Sequence, residues 1–464
     1  MRTSGTTTIC LLALHAATLT GQGPPGRLDP TQFVAIEAPI VALSGVRVID
    51  GTGAPPADDQ VLVIRDARIL SVGPRGTQTI PDGARVIDLQ GHTVIPGIIG
   101  MHDHLYGYDG YGINHRQAAT LYLASGVTTL RTAGTFEPYR DINLKREIDQ
   151  GFSIGPRIHL TGPYLTGPAS RHLGMVRIAD GADARRVVNY WADEGVTWVK
   201  VYRHMPRAEL AEVIKYAHAR GLKVTGDLCA TSAAEAAEAG IDNIEHALTA
   251  RDFDDQLPPD ACPGVDVPQT WGGSSPENGI RSAVAVLVRK GVAVTATLPV
   301  SAAMVQGVSD PRIFDFMNQE GREAYRQMVA RSSSVPRFAL YYEMEKAFHK
   351  AFVEAGGLLV AGTDPVVFGL VPGLADQSNY ELLVQVGFTP QMAIRIMSAN
   401  GARALGVSND FGTIEPGKIA DLVVIASDDT AAPANLRQVK LVFKGGRGFD
   451  APTLLASVLG GRRN

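Results

Sequence analysis

Six residues that can bind a metal or transfer a proton occur at the same kind of position, the carboxyl end of a short apolar run. They are His102, His104, Lys200, Asp227, His246 and Asp364. Imidazole nitrogens and carboxylate oxygens are common ligands of divalent cations, and a carboxylate can accept a proton from a water that such a cation has made acidic. The shared placement predicts a metal site in which Asp364 acts as general base and general acid.

The pair His102 and His104 ends the apolar run VIPGIIGM. Side chains alternate between the two faces of a strand, so both imidazoles should project to one face while Asp103 points away from it. Two imidazoles on one face can bind a single divalent cation. The apolar strand before the pair makes it more informative than an isolated HxH sequence.

Three of the other residues each have a second interpretation. Lys200 lies in WVKVY, where a buried ammonium must be neutralised, paired or chemically changed, unless it reaches the rim of the fold. A neutral amine there can take up carbon dioxide, and the two oxygens of the resulting carbamate can bridge two metal ions. Asp364 can also cap the following helix, and His246 can be a hydrogen-bonded core residue.

The elements that must position these residues are eight apolar runs, several of them separated by helical stretches. In chain order the runs are TVIPGIIGMHDH, GVTTLRTAG, PRIHLTGPYL, TWVKVY, LKVTGD, DNIEHAL, VAVTATLP and GLLVAGTDP. Repeated strand–helix units give parallel strands with right-handed crossovers, and eight of them predict an α/β fold of the (β/α)8 TIM-barrel type over residues 93–405. The strand ends of such a barrel meet at one mouth. An open doubly wound sheet is the alternative to the barrel, but no glycine-rich phosphate loop follows the first strand.

Both ends of the chain differ from this α/β middle. Residues 41–92 and 406–450 are strand-like and contain Gly and Asp turn signals. We therefore predict that the two ends together form one small β-sandwich domain beside the barrel. The segments after His246 and after Leu298 are long, and we expect them to shape the substrate pocket.

Composition and the N-terminal segment limit partners and compartment. The net charge of −4 without a basic run argues against nucleic acid and an anionic membrane, and it favours a small-molecule or dipeptide-like substrate. A homo-oligomer is compatible with the sequence.

Residues 1–23 predict a secretory signal, and hence a periplasmic or secreted protein, although the A-x-A cleavage pattern is missing. After Cys10, only Cys229 and Cys262 follow; two buried free thiols are the ordinary interpretation, and their pairing stays open.

The segments VIPGIIGMHDHL, WVKVY, DNIEHAL, LLVAGTDP and GTIEPGKIADLVVI resemble motifs of the amidohydrolase superfamily. The chain is most similar to its imidazolonepropionase-like and Xaa-Pro-dipeptidase-like branch, from about residue 41 to residue 450. The resemblance implies two Zn²⁺ ions. His102, His104 and Asp364 would bind the first, Lys200 as a carbamate would bridge to the second, and His246 would bind the second.

One position departs from the pattern that the resemblance implies. The fifth strand of relatives carries a histidine, whereas this chain reads GLKVTGDLC and places Asp227 there. An aspartate can bind zinc, but it is shorter than histidine and adds negative charge beside another carboxylate and a carbamate. Weaker binding of the second metal, preference for a harder ion such as Mn²⁺, or loss of activity would each follow.

The function implied is hydrolysis of an amide bond in a dipeptide, an N-acyl amino acid or a cyclic amide by a metal-activated hydroxide. Tyr202 should face the same side as Lys200 and is a candidate substrate contact. Arg171 and His172 follow the third strand, where a loop can bind a substrate carboxylate. The alternatives are a mononuclear hydrolase, a deaminase (which Lys200 argues against) and a catalytically impaired homologue that only binds metal or ligand.

Overall fold

The computed structural model describes residues 30–106, 111–254, 257–262, 276–367, 369–427 and 433–460. The predicted secretory signal, with Cys10, lies outside these ranges. Among the described helices, none is both long enough and apolar enough to span a bilayer.

Strands and helices alternate through the middle of the chain, and nine of the nineteen strands that the structure describes lie at its two ends. In chain order the strands are β1 (Val34–Ile36), β2 (Ile40–Val48), β3 (Ala57–Arg65), β4 (Arg68–Pro74), β5 (Arg85–Asp88), β6 (Thr93–Pro96), β7 (Ile98–Asp103), β8 (Val127–Thr132), β9 (Arg157–His159), β10 (Thr161–Thr166), β11 (Val176–Arg177), β12 (Trp198–Arg203), β13 (Lys223–Leu228), β14 (Asn243–Glu245), β15 (Ala293–Ala296), β16 (Leu359–Ala361), β17 (Leu422–Ile425), β18 (Val439–Lys444) and β19 (Arg447–Asp450). The helices are α1 (His115–Ala124), α2 (Pro138–Asp149), α3 (Gly181–Asp193), α4 (Arg207–Ala219), α5 (Ala233–Ala239), α6 (Pro276–Lys290), α7 (Leu298–Gln306), α8 (Gln319–Ser333), α9 (Pro336–Glu354), α10 (Leu374–Val386), α11 (Pro390–Met397), α12 (Ala399–Leu405) and α13 (Ala451–Gly460).

The two ends of the chain build one β-rich sheet. Its hydrogen-bonded order is β1-β19-β18-β17-β6-β2-β3-β4, and β5 pairs with β2. Alternate apolar residues of these strands are buried in a shared core that includes Leu62, Val94, Val424 and Phe443. Strand β6 pairs antiparallel with β17 and parallel with β2, so this sheet extends past residue 92 to Pro96.

The middle of the chain is an α/β arrangement of parallel strands. Their orders are β7-β8-β9 and β11-β10-β12-β13-β14-β15-β16, and all these pairs are parallel. Each of the eight apolar runs contains at least one of these strands, and the run PRIHLTGPYL contains β9 and part of β10. Strands of a parallel sheet that are buried on both faces need near-continuous apolar residues, and this is why the apolar runs predict them. Every residue of β7 and β8 is buried.

The last of these strands ends against the first. The backbone N–H groups of Thr363 and Asp364 both donate to the carbonyl of His102, at 2.9 Å. Gly362 permits this approach, because a Cβ at that position would lie 2.4 Å from the backbone nitrogen of His102. The contact brings Asp364 to the histidine pair although 260 residues separate Asp364 from His104.

Cys229 and Cys262 form a disulfide, so the interpretation of two free thiols is wrong. Cys229 follows β13, and Cys262 lies in the segment after β14, which folds back across the strand ends. Two contacts hold that segment there: Asp252 accepts from the backbone of Ala233, and Asp260 pairs with Arg207. This return of the chain is a tertiary feature that cysteine spacing does not reveal.

We expect Cys229→Ser to lower the free energy of unfolding by about 3 to 4 kcal/mol, because the disulfide closes a 33-residue loop in the unfolded chain. Chemical denaturation of the wild type and the variant, each with and without reductant, measures the change. Cys262→Ser should cost the same, and the double variant should cost no more. A reductant that destabilises these variants as much as the wild type would contradict the pairing.

Candidate functional site

The side chains of His102 and His104 lie on one face at the carboxyl end of β7. Both are buried, with ring centroids 5.3 Å apart. Asp103 points the other way and accepts a hydrogen bond from the Thr363 hydroxyl at 2.8 Å. The alternation expected from the sequence is therefore what the structure contains.

Asp364 completes a group of three metal-ligand atoms, which we call the triad. The Nε2 atoms of His102 and His104 lie 3.3 and 3.0 Å from Asp364 Oδ1. Among the described residues, these three form the group of His, Cys, Asp and Glu side chains whose ligand atoms all lie within 4.8 Å of one another. Ligand atoms on a tetrahedral metal at about 2.0–2.1 Å are about 3.3 Å apart, so the spacing fits such an ion.

The hydrogen bonds behind the triad also fit a cation. His104 Nδ1 lies 3.1 Å from the Gly134 carbonyl, which can only accept, so Nδ1 carries the hydrogen. Burial lowers the pKa of His104 and thereby favours the neutral ring, whose Nε2 presents a lone pair to Asp364. A lone pair facing a carboxylate oxygen is repulsive unless a cation lies between them, and the triad has the donor set to hold one.

The charges of the triad are set by their buried neighbours. Burial raises the pKa of Asp364, but the facing histidines outweigh it and hold that pKa well below its usual range. Burial lowers the pKa of His102, but Glu245 and Asp364 raise it by more than burial lowers it, so the net shift of this pKa is upward. Asp364 is thus an anion throughout the physiological range, as a metal ligand must be.

The other three predicted ligands lie around the triad and are less tightly grouped. His246 Nε2 is 3.8 Å from Asp364 Oδ2 and 3.8 Å from Asp227 Oδ2. The Arg203 guanidinium lies 3.8 Å from Asp227 Oδ1. Lys200 is buried, and its Nζ is 3.9 Å from Glu245 Oε1, so it does not reach the rim. Burial lowers the pKa of Lys200, which favours the neutral amine.

Two site residues have backbone conformations that few side chains adopt. His246 has φ 66° and Asp364 has φ 45°, in the left-handed region, where Asp and His are tolerated better than most residues. The His246 carbonyl accepts from His349 Nε2 at 2.9 Å. Burial lowers the pKa of His349 to about 4, so this neutral imidazole supports the backbone of a site residue, a role that its sequence position did not indicate.

Sequence reasoning missed Glu245 and Arg131, which form a buried ionic network behind the triad. Glu245 Oε2 accepts from His102 Nδ1 at 2.8 Å, and Oε1 accepts from Arg131 and from the Thr225 hydroxyl. The guanidinium of Arg131 also lies 4.6 Å from the Trp198 ring centroid. The signal was present in the sequence, since each is a charged residue inside one of the predicted strands.

Tyr202, predicted to contact substrate, belongs to an aromatic cluster on the His104 side of the triad. Its ring lies 5.3 Å from that of Tyr164, and Tyr106 lies 4.9 Å from His104. Phe136 packs on both Tyr106 and Tyr164. We call Tyr106, Phe136, Tyr164 and Tyr202 the aromatic wall.

The two loop residues predicted to bind substrate, His172 and Arg171, differ in their distance from the aromatic wall and the cavity. His172 is exposed but packs 5.9 Å from the Tyr202 ring, at the edge of the aromatic wall. Arg171 is exposed and does not line the described cavity that contains Asp364.

A cavity of about 210 Å³ opens beside the triad, and no residue of the aromatic wall lines it. We call it the triad cavity. Its lining includes Asp364, His246 and Asp227, residues Ala247 and Thr249 after β14, and residues of α7 and α9. The segments after His246 and Leu298 therefore do shape a pocket. A larger cavity of about 640 Å³ lies at the amino ends of the strands, near Lys223 and Ala293, away from the predicted ligands.

The amidohydrolase family matches residues 93–448 of the chain. The imidazolonepropionase of Porphyromonas gingivalis (strain ATCC 33277) is 28% identical over 114 residues, which are 24% of this chain and 26% of that enzyme, so the match spans about a quarter of that relative. The structure of a putative prolidase from Bifidobacterium longum is 24% identical, with a TM-score of 0.67 over 90% of this chain and 98% of that one. Molinate hydrolase is 21% identical, with a TM-score of 0.67 over 90% and 96%.

Proposed function

The chain belongs to the amidohydrolase family, whose members hydrolyse carbon–nitrogen bonds, and we propose that it cleaves an amide bond of a dipeptide or an N-acyl amino acid at a metal centre built on the triad. The observation that carries this proposal is the convergence of His102 Nε2, His104 Nε2 and Asp364 Oδ1. Each imidazole has its Nδ1 atom occupied by a fixed partner, Glu245 or Gly134. Both Nε2 atoms are therefore oriented toward one point next to a carboxylate.

His102, His104 and Asp364 would hold a divalent cation, which we expect to be zinc, and when bound it would polarise the amide carbonyl and lower the pKa of the attacking water. Asp364 accepts the proton of that water and delivers it to the leaving nitrogen. Its Oδ2 atom faces the triad cavity side, 3.8 Å from His246, while Oδ1 faces the histidines. The aromatic wall and the triad cavity hold the two halves of the substrate on either side.

A second cation, bridged by a carbamate on Lys200, is the further prediction from the resemblance. Asp227 weakens the case for it, because the neighbouring Arg203 guanidinium competes with a cation for the same carboxylate. We therefore propose that the triad ion is bound more tightly than the second ion. A mononuclear hydrolase is the second candidate function, and the pairing of Asp227 with Arg203 is the observation that favours it.

The experiment that tests the function uses the purified full chain loaded with zinc. Metal content and hydrolysis of a panel of dipeptides and N-acyl amino acids are measured on the same sample, before and after chelation. We expect hydrolysis that chelation abolishes and that added metal restores. A zinc-loaded protein that hydrolyses no member of the panel would favour the catalytically impaired homologue instead.

We expect Asp227→His to raise the metal content from about one ion to about two ions per chain. Histidine supplies a neutral, longer ligand and releases the charge that attracts Arg203. The matched control is Asp193→His, which adds a histidine at an exposed position on α3. Equal metal content in wild type and Asp227→His, measured by elemental analysis, would show that residue 227 does not limit the second site.

Two wider proposals accompany this function. We propose that the two sets of parallel strands close into one eight-stranded barrel, which is supported by the contact of His102 with Thr363 and Asp364. We also propose that the protein is exported to the periplasm or secreted. The disulfide between Cys229 and Cys262 supports export, because such bonds persist in oxidising compartments.

A further inference from the structure

The triad cavity contains one charged side chain that the proposed mechanism does not use. Arg337 is the second residue of α9 and lines the same cavity as Asp364. It is exposed, and its guanidinium carbon lies 5.3 Å from the ring centroid of Phe338, which also lines the cavity. The guanidinium therefore lies next to a ring that forms part of the cavity wall.

The other charged groups that line the cavity have partners of opposite charge. Asp227 faces Arg203, Glu245 faces Arg131, and Asp364 faces the histidines of the triad. Within the part of the chain that the structure describes, no ion pair is formed by Arg337. A cation without an anionic partner beside a reaction site is suited to bind an anion that arrives with the substrate.

The remaining lining residues define what that substrate carries next to its anion. Val300 and Met304 of α7 and Phe338 and Tyr341 of α9 give the cavity an apolar wall. A volume of about 210 Å³ is large enough for one amino-acid side chain but not for a long peptide. The cavity therefore has a reacting end at Asp364, an apolar middle and a cationic edge.

We propose that Arg337 binds the free α-carboxylate of the substrate, so that the preferred substrates are N-acyl amino acids or dipeptides whose C-terminal residue is apolar. The inference rests on the proposed function, because it names the substrate class of the same site. It replaces Arg171, the carboxylate contact expected from the sequence, with a residue of the helices inserted between β15 and β16. The acyl group then lies toward the aromatic wall.

The test compares Arg337→Gln with the wild type on N-benzoyl-L-leucine and N-benzoyl-L-leucinamide, which differ only in the charge of the terminal group. We expect the variant to raise KM for the carboxylate substrate by about 10- to 100-fold, the size of a lost charge-assisted hydrogen-bond pair, with kcat within about threefold. The KM for the amide substrate should be unchanged. Arg337→Lys should recover part of the loss, because it keeps the charge but not the bidentate geometry.

The matched control is Arg331→Gln, since Arg331 is an exposed arginine of α8 that lines a neighbouring groove and not the triad cavity. Equal effects of Arg337→Gln on both substrates, or an equal effect of Arg331→Gln on the carboxylate substrate, would overturn the proposal. Thermal unfolding of each variant confirms that the fold is retained.

A binding measurement separates this inference from the proposed function. Calorimetry with L-leucine, the product that would carry the carboxylate, should show binding to the wild type and at least about tenfold weaker binding to Arg337→Gln, and L-leucinamide should not distinguish them. If no substrate is hydrolysed but this difference is found, the function is wrong and the anion site stands. If hydrolysis is found but Arg337→Gln changes neither KM nor L-leucine binding, the function stands and the anion site is wrong.

Discussion

Replacing Asp364 with asparagine should lower kcat for amide hydrolysis by at least about a thousandfold. The variant removes the proton acceptor and one anionic metal ligand together. It also leaves the Nε2 lone pairs of His102 and His104 facing a neutral amide in place of a carboxylate. Asparagine has nearly the same shape as aspartate and tolerates the φ of 45° at this position, so the backbone should not be strained.

The measurements are kcat on the best substrate of the panel, metal content by elemental analysis and thermal unfolding. The matched control is Asp421→Asn. Asp421 directly precedes β17 and forms an ion pair with Arg157 at 2.8 Å. We expect that control to change stability and to leave kcat unaltered. An Asp364→Asn variant with wild-type turnover and full metal content would exclude the proposed site.

The grouping of His102, His104 and Asp364 could be predicted from the sequence because each lies in, or shortly after, a buried parallel strand. Strands that are buried on both faces have nearly continuous apolar sequences, and all eight apolar runs contain strands in the structure. The shared edge at which the carboxyl ends of parallel strands lie is also a property of the topology. The grouping of His102, His104 and Asp364 therefore follows from element order, without any knowledge of loop conformation.

The features that could not be predicted are those that depend on partner choice between distant segments. The charges of Arg131 and Glu245 inside apolar strands indicate that each needs a partner, but not that they pair with each other and with His102. The disulfide requires the segment after β14 to fold back over β13. The choice between Arg171 and Arg337 depends on how loops and inserted helices are placed, which local pattern does not encode.

The second large effect is expected from Glu245→Gln, because Glu245 is the anion at the centre of the buried network. Its carboxylate faces Arg131, Lys200 and His102, and none of these three side chains is more than 2% exposed. Burial by itself would raise the pKa of Glu245, but the electrostatic effects of Arg131, His102 and Lys200 outweigh it and hold that pKa well below its usual range. Removal of the negative charge leaves the buried Arg131 guanidinium without its anion, which should cost about 3 to 5 kcal/mol of stability.

The same change should weaken metal binding at the triad by about 10- to 100-fold, since Glu245 orients His102 through its Nδ1 atom. Zinc affinity, measured by competition with a chromophoric chelator, and thermal unfolding at pH 8 test the two effects. A Glu245→Gln variant with wild-type zinc affinity would mean that the ring of His102 is held by packing alone.

Glu345→Gln is the matched control, because Glu345 is also fully buried but burial raises its pKa to about 7, well above the 4.5 of an unfolded chain. A carboxyl group whose folded pKa is raised destabilises the fold as the pH rises from about 4.5 to about 7, and the penalty is complete above that range. Glutamine removes this penalty, so the control should be more stable than the wild type at pH 8, by up to roughly 3 kcal/mol. Two buried Glu→Gln changes should therefore shift the unfolding temperature in opposite directions. The sign distinguishes a carboxylate that the fold requires as an anion from one that it tolerates only when protonated.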